Sequence, residues 1–179
     1  MTTIIPGFTS PMAGLDQPIE MLETCHERVK NHCQILQRLS NHLEKVGIDD
    51  QAKLASKNLL RYFDIAAKNH HEDEEKNLFP MLQESMAGSD AICINELIIR
   101  LRKEHQILET IWQEIKRPLE LIASGKEAVI NQSNIRLLAK TYEQHITLEE
   151  DELLPLAKRL LNEEQLKIMS HDMTQRRKI

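Results

Sequence analysis

At 179 residues the chain is long enough for one domain with a sizeable core, while five Gly, three Phe, two Tyr and one Trp are too few for a sandwich, barrel or Rossmann-type sheet. An all-α fold is what remains. Lys+Arg 23 against Asp+Glu 28 gives a net charge of −5, which excludes the overall basic field of a nucleic-acid binder, and no apolar run approaches the length of a membrane span.

Residues 1–18 hold three of the six prolines and two of the five glycines, which predicts an irregular N-terminal arm. The first helix is expected over roughly 19–46. Leu22, Val29, Leu36 and Leu43 recur every seven residues there, with Cys25, Cys33, Leu39 and Val46 filling the stripe, and Gly47 supplies the stop. A second helix runs from about Asp50 to Glu84, with Leu54, Leu59, Leu60, Phe63, Ala66, Ala67, Leu78 and Leu82 on its apolar side. Pro80 is expected to kink or shorten it. Gly88-Ser89-Asp90 reads as a stop followed by a cap, and the third helix, Ala91 to about Ala123, carries Leu97, Leu101, Leu108, Ile111 and Ile115, with Pro118 bending its last turns. Asn131 to about Leu161 forms the fourth, and Asn162-Glu163-Glu164-Gln165 caps a short fifth that ends in the basic tail Arg176-Arg177-Lys178. Short connections force successive helices to lie antiparallel, so the expected architecture is an all-α, up-down-up-down four-helix bundle over 19–161. The arm 1–18 precedes it, and a short helix with a basic tail, 162–179, follows.

Eight His are the excess that composition leaves unexplained. Displacing the second helix by 75 residues onto the fourth exposes a repeat: HHEDEEKNLFP (70–80) against HITLEEDELLP (145–155), both reading His-x-x-x-Glu-Glu-x-x-Leu-x-Pro. Residues four apart share a helix face, so His70 with Glu74, and His145 with Glu149, each present an imidazole and a carboxylate to one point. A single acidic run such as Glu72–Glu75 is ordinarily a solvated face. Here, however, Phe63, Ala67, His70, Glu74, Leu78 and Met81 form one continuous stripe, which turns the His and Glu inward, where an unpaired carboxylate is costly. A metal ion satisfies both groups.

The other two helices should then contribute imidazoles. His105 is the only His of the third helix and continues its Leu101–Leu108 stripe. On the first helix the candidates are His26, His32 and His42. His26 and His70 both lie 22 residues from the connection near Ile48, whereas His32 lies 16 away, about 9 Å higher in the hairpin. Register therefore favours His26, with His32 as the alternative, and places His42 at the surface near the loop. Four His and two carboxylates do not suit a closed zinc site built on thiolates. They suit two metals with a preference for imidazole and carboxylate, for which iron is the natural choice.

The two His-x-x-x-Glu-Glu-x-x-Leu-x-Pro segments, the lone His105 and the segment CHERV (25–29) together resemble the hemerythrin-like (HHE cation-binding) family over about 19–161. The resemblance implies a non-haem centre of two iron ions, bridged by Glu74 and Glu149 and open to an oxo bridge, with His26, His70, His105 and His145 as terminal ligands. It implies a protein that binds a small diatomic ligand, O2 or NO, or that senses or stores iron, with a homodimer or a redox partner protein as the open protein contacts, while charge and hydropathy give no nucleic-acid or membrane partner. Oxygen-carrying members use five His, two of them four apart on the third helix, and an Asp five after the fourth-helix His. Here Leu101, Glu109 and Glu150 occupy those positions, leaving His32 or His71 as the source of a fifth imidazole. The four-His, two-Glu set looks closer to the bacterial branch tied to nitric-oxide stress and iron–sulfur repair.

Other residues carry plainer expectations. His71, about 100° of helical turn from His70, reads as a partly exposed neighbour or an outer hydrogen-bond donor. Glu75 and Glu150 read either as acceptors for imidazole N–H groups or as solvated surface, Tyr142 and Trp112 as packing, Cys33 and Cys93 as small buried apolar groups, and His171 with Arg176–Lys178 as frayed surface. Three Cys, with no secretory leader ahead of them, point to a reducing cytoplasm. A different class of function, a helical interaction module whose metal is structural and non-redox, fits the same pattern. Enzymatic activity is left open.

Overall fold

The computed structural model describes residues 17–85 and 90–178. The predicted arm lies outside them up to residue 16, as do Gly88 and Ser89 of the second predicted stop. Among the described residues the chain is helical with no strand, and no helix is long and apolar enough to cross a membrane.

Helix α1, Pro18–Val46, starts one residue earlier than its apolar stripe because proline's fixed φ suits the first turn. It ends at Gly47, whose φ of +84° favours glycine, with the Gly47 N–H bonded to the Leu43 carbonyl. Helix α2 covers 50–85 and begins where the Asp49 side chain accepts the Ala52 N–H at 2.8 Å. Helix α3, Asp90–Ala123, runs through Pro118. Helix α4 covers 132–160 behind Asn131, which accepts the Ser133 N–H, and α5, Glu163–Arg176, carries the reciprocal Asn162–Gln165 capping box.

Neither α2 nor α4 is regular throughout. Three turns widen to π geometry: Tyr62–Ala67, Glu74–Leu78 and Glu149–Leu153. In the last two, the N–H of Phe79 reaches back five residues to the Glu74 carbonyl and that of Leu154 to the Glu149 carbonyl. A proline directly follows each of them, Pro80 and Pro155. Proline lacks an N–H and its ring collides with the carbonyl four residues back in a regular α-turn, so the widened turn ahead of it is a way to carry the helix past that collision. Pro80 thus does not shorten α2, which continues to Ser85.

The N-terminal part of α2 packs on α1 and α3, and the N-terminal part of α4 packs on the same two helices; α5 lies against α1 and residues 68–78 of α2. The core divides into two clusters. One holds Val29, Leu36, Leu59, Phe63, Leu108, Ile115, Leu138 and Tyr142; the other holds Leu22, Leu78, Phe79, Leu82, Leu101, Leu153, Leu154, Met169 and Met173. Along α1 the second cluster comes first, along α2 the first, and the order alternates again in α3 and α4. A polar layer separates them.

Four apolar assignments need correction. Val46, read as filling the stripe of α1, is 63% exposed at the last position of that helix. Leu54 is 60% exposed, because the buried stripe of α2 runs Ala52, Ser56, Leu59, Phe63 and a residue midway between two stripe positions faces away from them. Ala66 is exposed beside buried Ala67 for the same reason, and Cys93 is exposed one position short of buried Ile94.

Candidate metal centre

The polar layer is where the internal repeat meets α1 and α3. His26 follows Leu22 by one turn, His105 lies between Leu101 and Leu108, and the His-x-x-x-Glu pairs sit one turn apart on α2 and α4. All six predicted residues are almost fully buried, from 0% exposure for His26, Glu74 and Glu149 to 5% for His105.

They converge into two sets that share both carboxylates. His26, His70, Glu74 and Glu149 bring one ligand atom each within 4.8 Å of one another, and so do Glu74, His105, His145 and Glu149. One oxygen of Glu149 lies 3.1 Å from His26 Nε2 and the other 3.1 Å from His145 Nε2. One oxygen of Glu74 lies 3.3 Å from His70 Nε2, the other 3.2 Å from His105 Nε2. Each carboxylate therefore faces one imidazole from each set, the arrangement a bridging ligand requires.

The far side of three rings is anchored. His26 Nδ1 meets Glu150 Oε1 at 3.0 Å, His105 Nδ1 meets Glu75 Oε1 at 2.6 Å, and His145 Nδ1 meets Glu104 Oε2 at 3.0 Å. In a neutral ring, a carboxylate at Nδ1 places the proton there and leaves the Nε2 lone pair for the layer. The Nε2 atoms of His105 and His145 lie 3.2 Å apart. Glu75 and Glu150 thus serve as N–H acceptors while about a third of each side chain still meets solvent. Glu104 is an acceptor that sequence reasoning missed, since it reaches across from α3 to a ring on α4; the one available signal was that the fourth-helix imidazole needed an Nδ1 partner.

Electrostatics divides the two carboxylates. Burial, reinforced by the charge of Glu149, pushes the Glu74 carboxyl up to about 7. Burial also works against ionised Glu149, but the charge of His145 and the close approach of the His145 and His26 rings outweigh it and hold Glu149 well below the usual carboxylate range. His145 is lifted to about 10: burial opposes its charge, and Glu149 with Glu104 prevails. At His70 burial wins, with the neighbouring His26 adding to it, and the ring is held well below the usual imidazole range.

The remaining histidines separate clearly. His32 stays a turn and a half away, its Nδ1 bonded to the Arg28 carbonyl at 2.7 Å and its ring stacked on Tyr62 at 3.4 Å, so the structure brings His26 to the layer and not His32. His42 pairs with Asp49 at 3.1 Å near the α1–α2 connection. His71 is closer to the centre than its sequence position suggests. Its ring stacks on His105 at 4.1 Å, and a ligand atom of His71 lies within 4.8 Å of those of His105 and His145. The 100° between consecutive residues, read as turning His71 out of the site, instead directs His70 toward α1 and His71 toward α3 and α4. Beyond His71 lies a cavity of about 40 Å³ walled by Phe63, Ala67, Leu108, Trp112 and Tyr142, with Lys68 and Glu109 as its charged members.

The residues fit a metal. Both oxygens of Glu74, both of Glu149, and the Nε2 atoms of His26 and His71 are buried without an aligned hydrogen-bond partner. Burying that many polar atoms unsatisfied costs several kcal/mol in total, roughly 1–3 kcal/mol each. Cations among them remove the cost, and a donor set of imidazole and carboxylate suits iron.

Comparison with known proteins agrees with this geometry. The hemerythrin HHE cation-binding domain is matched by residues 17–157. An uncharacterised protein of Haemophilus influenzae is 34% identical over 167 residues, which covers 93% of this chain and 94% of that relative. The match takes in both repeat segments, His26 and His105, and the chain belongs to the hemerythrin HHE cation-binding family.

Proposed function

We propose that this chain is a non-haem di-iron protein that binds a small diatomic molecule, O2 or NO, at a centre held by His26, His70, Glu74, His105, His145 and Glu149. The observation that carries the reading is the pair of fully buried carboxylates, each spanning two imidazoles and otherwise unsatisfied. The reversal of the two core clusters from each helix to the next supports an up-down-up-down four-helix bundle as the frame, a single domain with the centre at mid-height.

Iron held by His26, His70, Glu74, His105, His145 and Glu149 would, when reduced, be the electron source for a diatomic ligand. The chain's own residues do the rest. Glu74 and Glu149 hold the two positions together, Glu150, Glu75 and Glu104 fix three rings in the tautomer that offers Nε2, and the apolar clusters above and below keep bulk water out. His71 supplements the His105–His145 position, which leaves the His26–His70 position with fewer imidazoles. The cavity beside His71 is of a size for a molecule of a few atoms. This reading places the protein in a reducing cytoplasm, in nitrosative stress or iron–sulfur repair.

Iron stoichiometry with and without azide or NO tests it. Two iron per chain and near-ultraviolet charge-transfer bands that shift with azide are expected. Zinc in place of iron, with no such bands, would replace this reading with a structural metal site.

A further inference from the structure

The basic tail, expected to be frayed surface, is instead attached to the back of the metal centre. Asp73, immediately before Glu74, is fully buried. Arg176 binds its Oδ1, and Arg177 spans both oxygens, with Nη1 3.2 Å from Oδ1 and Nη2 on Oδ2. Arg176 also donates to Asn77 Oδ1 at 2.9 Å and its Nε lies 3.5 Å from Glu72, while Asn77 Nδ2 donates to Asp172 Oδ2 at 2.6 Å. Three residues around Glu74, at 72, 73 and 77, are thus tied to the last two turns of α5.

We propose that Arg176 and Arg177 are positioning residues of the metal centre: by clamping Asp73 they hold the widened turn 74–78 in the register that aims Glu74 at the two metal positions. The inference rests on the metal-site reading above. A π turn gives up regular α-helical bonding, so its register depends on outside contacts. A buried carboxylate is retained only with charged partners, and a planar guanidinium supplies two parallel donors where an ammonium supplies a point charge. The second repeat provides the contrast. Its position equivalent to Asp73 is Leu148, buried and apolar, and nothing resembling the clamp stands behind Glu149 among the described residues. The clamp belongs to Glu74 alone.

The test uses the full chain loaded anaerobically with Fe(II), and with Co(II) as an optical probe of ligand geometry. Variants are Arg176→Ala/Arg177→Ala, Arg176→Lys/Arg177→Lys, and Met169→Ala, which opens a cavity under the same helix and leaves the clamp intact. The double-alanine chain should lose metal affinity by roughly tenfold to a hundredfold, the usual effect of removing an outer partner, and shift the Co(II) bands. The double-lysine chain should recover part of both. Met169→Ala should lower thermal stability and leave affinity and bands unchanged. If the double-alanine chain does not fold, Arg177→Ala alone carries the same comparison. Arginine variants that bind metal as the parent does, or a Met169→Ala chain that loses metal equally, would overturn the clamp. A parent chain that takes up no metal would overturn the metal-site reading, and the clamp with it.

Discussion

The segments 70–80 and 145–155 share a His, two Glu, a Leu, a Pro and a widened turn, yet four of their differences make the two sides of the centre unequal. Where the first has His71, the second has Ile146; where the first has Asp73, the second has Leu148. The first carboxylate, Glu74, is pushed toward its neutral form, while the second, Glu149, is held ionised. The first turn is tied from behind by α5; the second has exposed Asp151 and Glu152 behind it. A repeat therefore supplies matching His and Glu side chains and not symmetric surroundings, because the surroundings of each copy come from different parts of the chain.

Three experiments bear on that contrast. The largest effect is expected from the one feature the copies share. Glu74→Gln and Glu149→Gln should each abolish binding of both ions, because both carboxylates belong to both ligand sets, whereas His26→Ala should spare the His105–His145 position; metal analysis per chain reads this directly. Retention of one ion in either glutamine variant would show that the carboxylates do not bridge.

An exchange of residues between the copies comes next. Leu148→Asp places a carboxylate in a buried apolar cluster and should cost about 3 kcal/mol or more in urea unfolding. Asp73→Leu should cost less, about 2 kcal/mol, because Arg176 and Arg177 remain 14% and 21% exposed and can turn to water. Equal costs would mean that the two backgrounds are interchangeable.

The smallest effect is on pH. In the metal-free chain Glu74 holds its proton up to about 7, against an ordinary 4.5 in the unfolded chain. Across that window the folded state binds more protons than the unfolded state, so stability falls as pH rises from 4.5 to about 7. Glu74→Gln should flatten this slope in melting-temperature measurements. Glu149→Gln should flatten it only in part, because it removes the charge that adds to the shift of Glu74 and leaves the burial of Glu74, its larger cause, in place.

Much of the site was legible before any coordinates. The i, i+4 spacing of His70 with Glu74 and of His145 with Glu149, repeated and continuous with apolar stripes, marked buried imidazole–carboxylate pairs, and counting residues from the α1–α2 connection separated His26 from His32. What stayed hidden has a common cause. His71 looked misplaced because one helix was considered alone, although α2 has neighbours on both sides and adjacent rings can serve different ones. Glu104 escaped notice because the ring it holds is on another helix. Arg176 and Arg177 resembled any solvated basic tail until α5 was seen folded back onto α2. Cys93 and Leu54 were misassigned for the opposite reason: an apolar residue type was taken for a core position one or two residues off the stripe.

By itself the sequence determined the all-α class, the helical stripes, the repeat and its buried His and Glu residues, since these follow from a period of 3.6 residues and from side-chain chemistry. Tertiary structure alone decided which carboxylate faces which two rings, which acceptor fixes each tautomer, and which copy of the repeat is braced by the C-terminus. Those outcomes depend on how separate helices meet across the core, and periodicity within one helix carries no information about its partners.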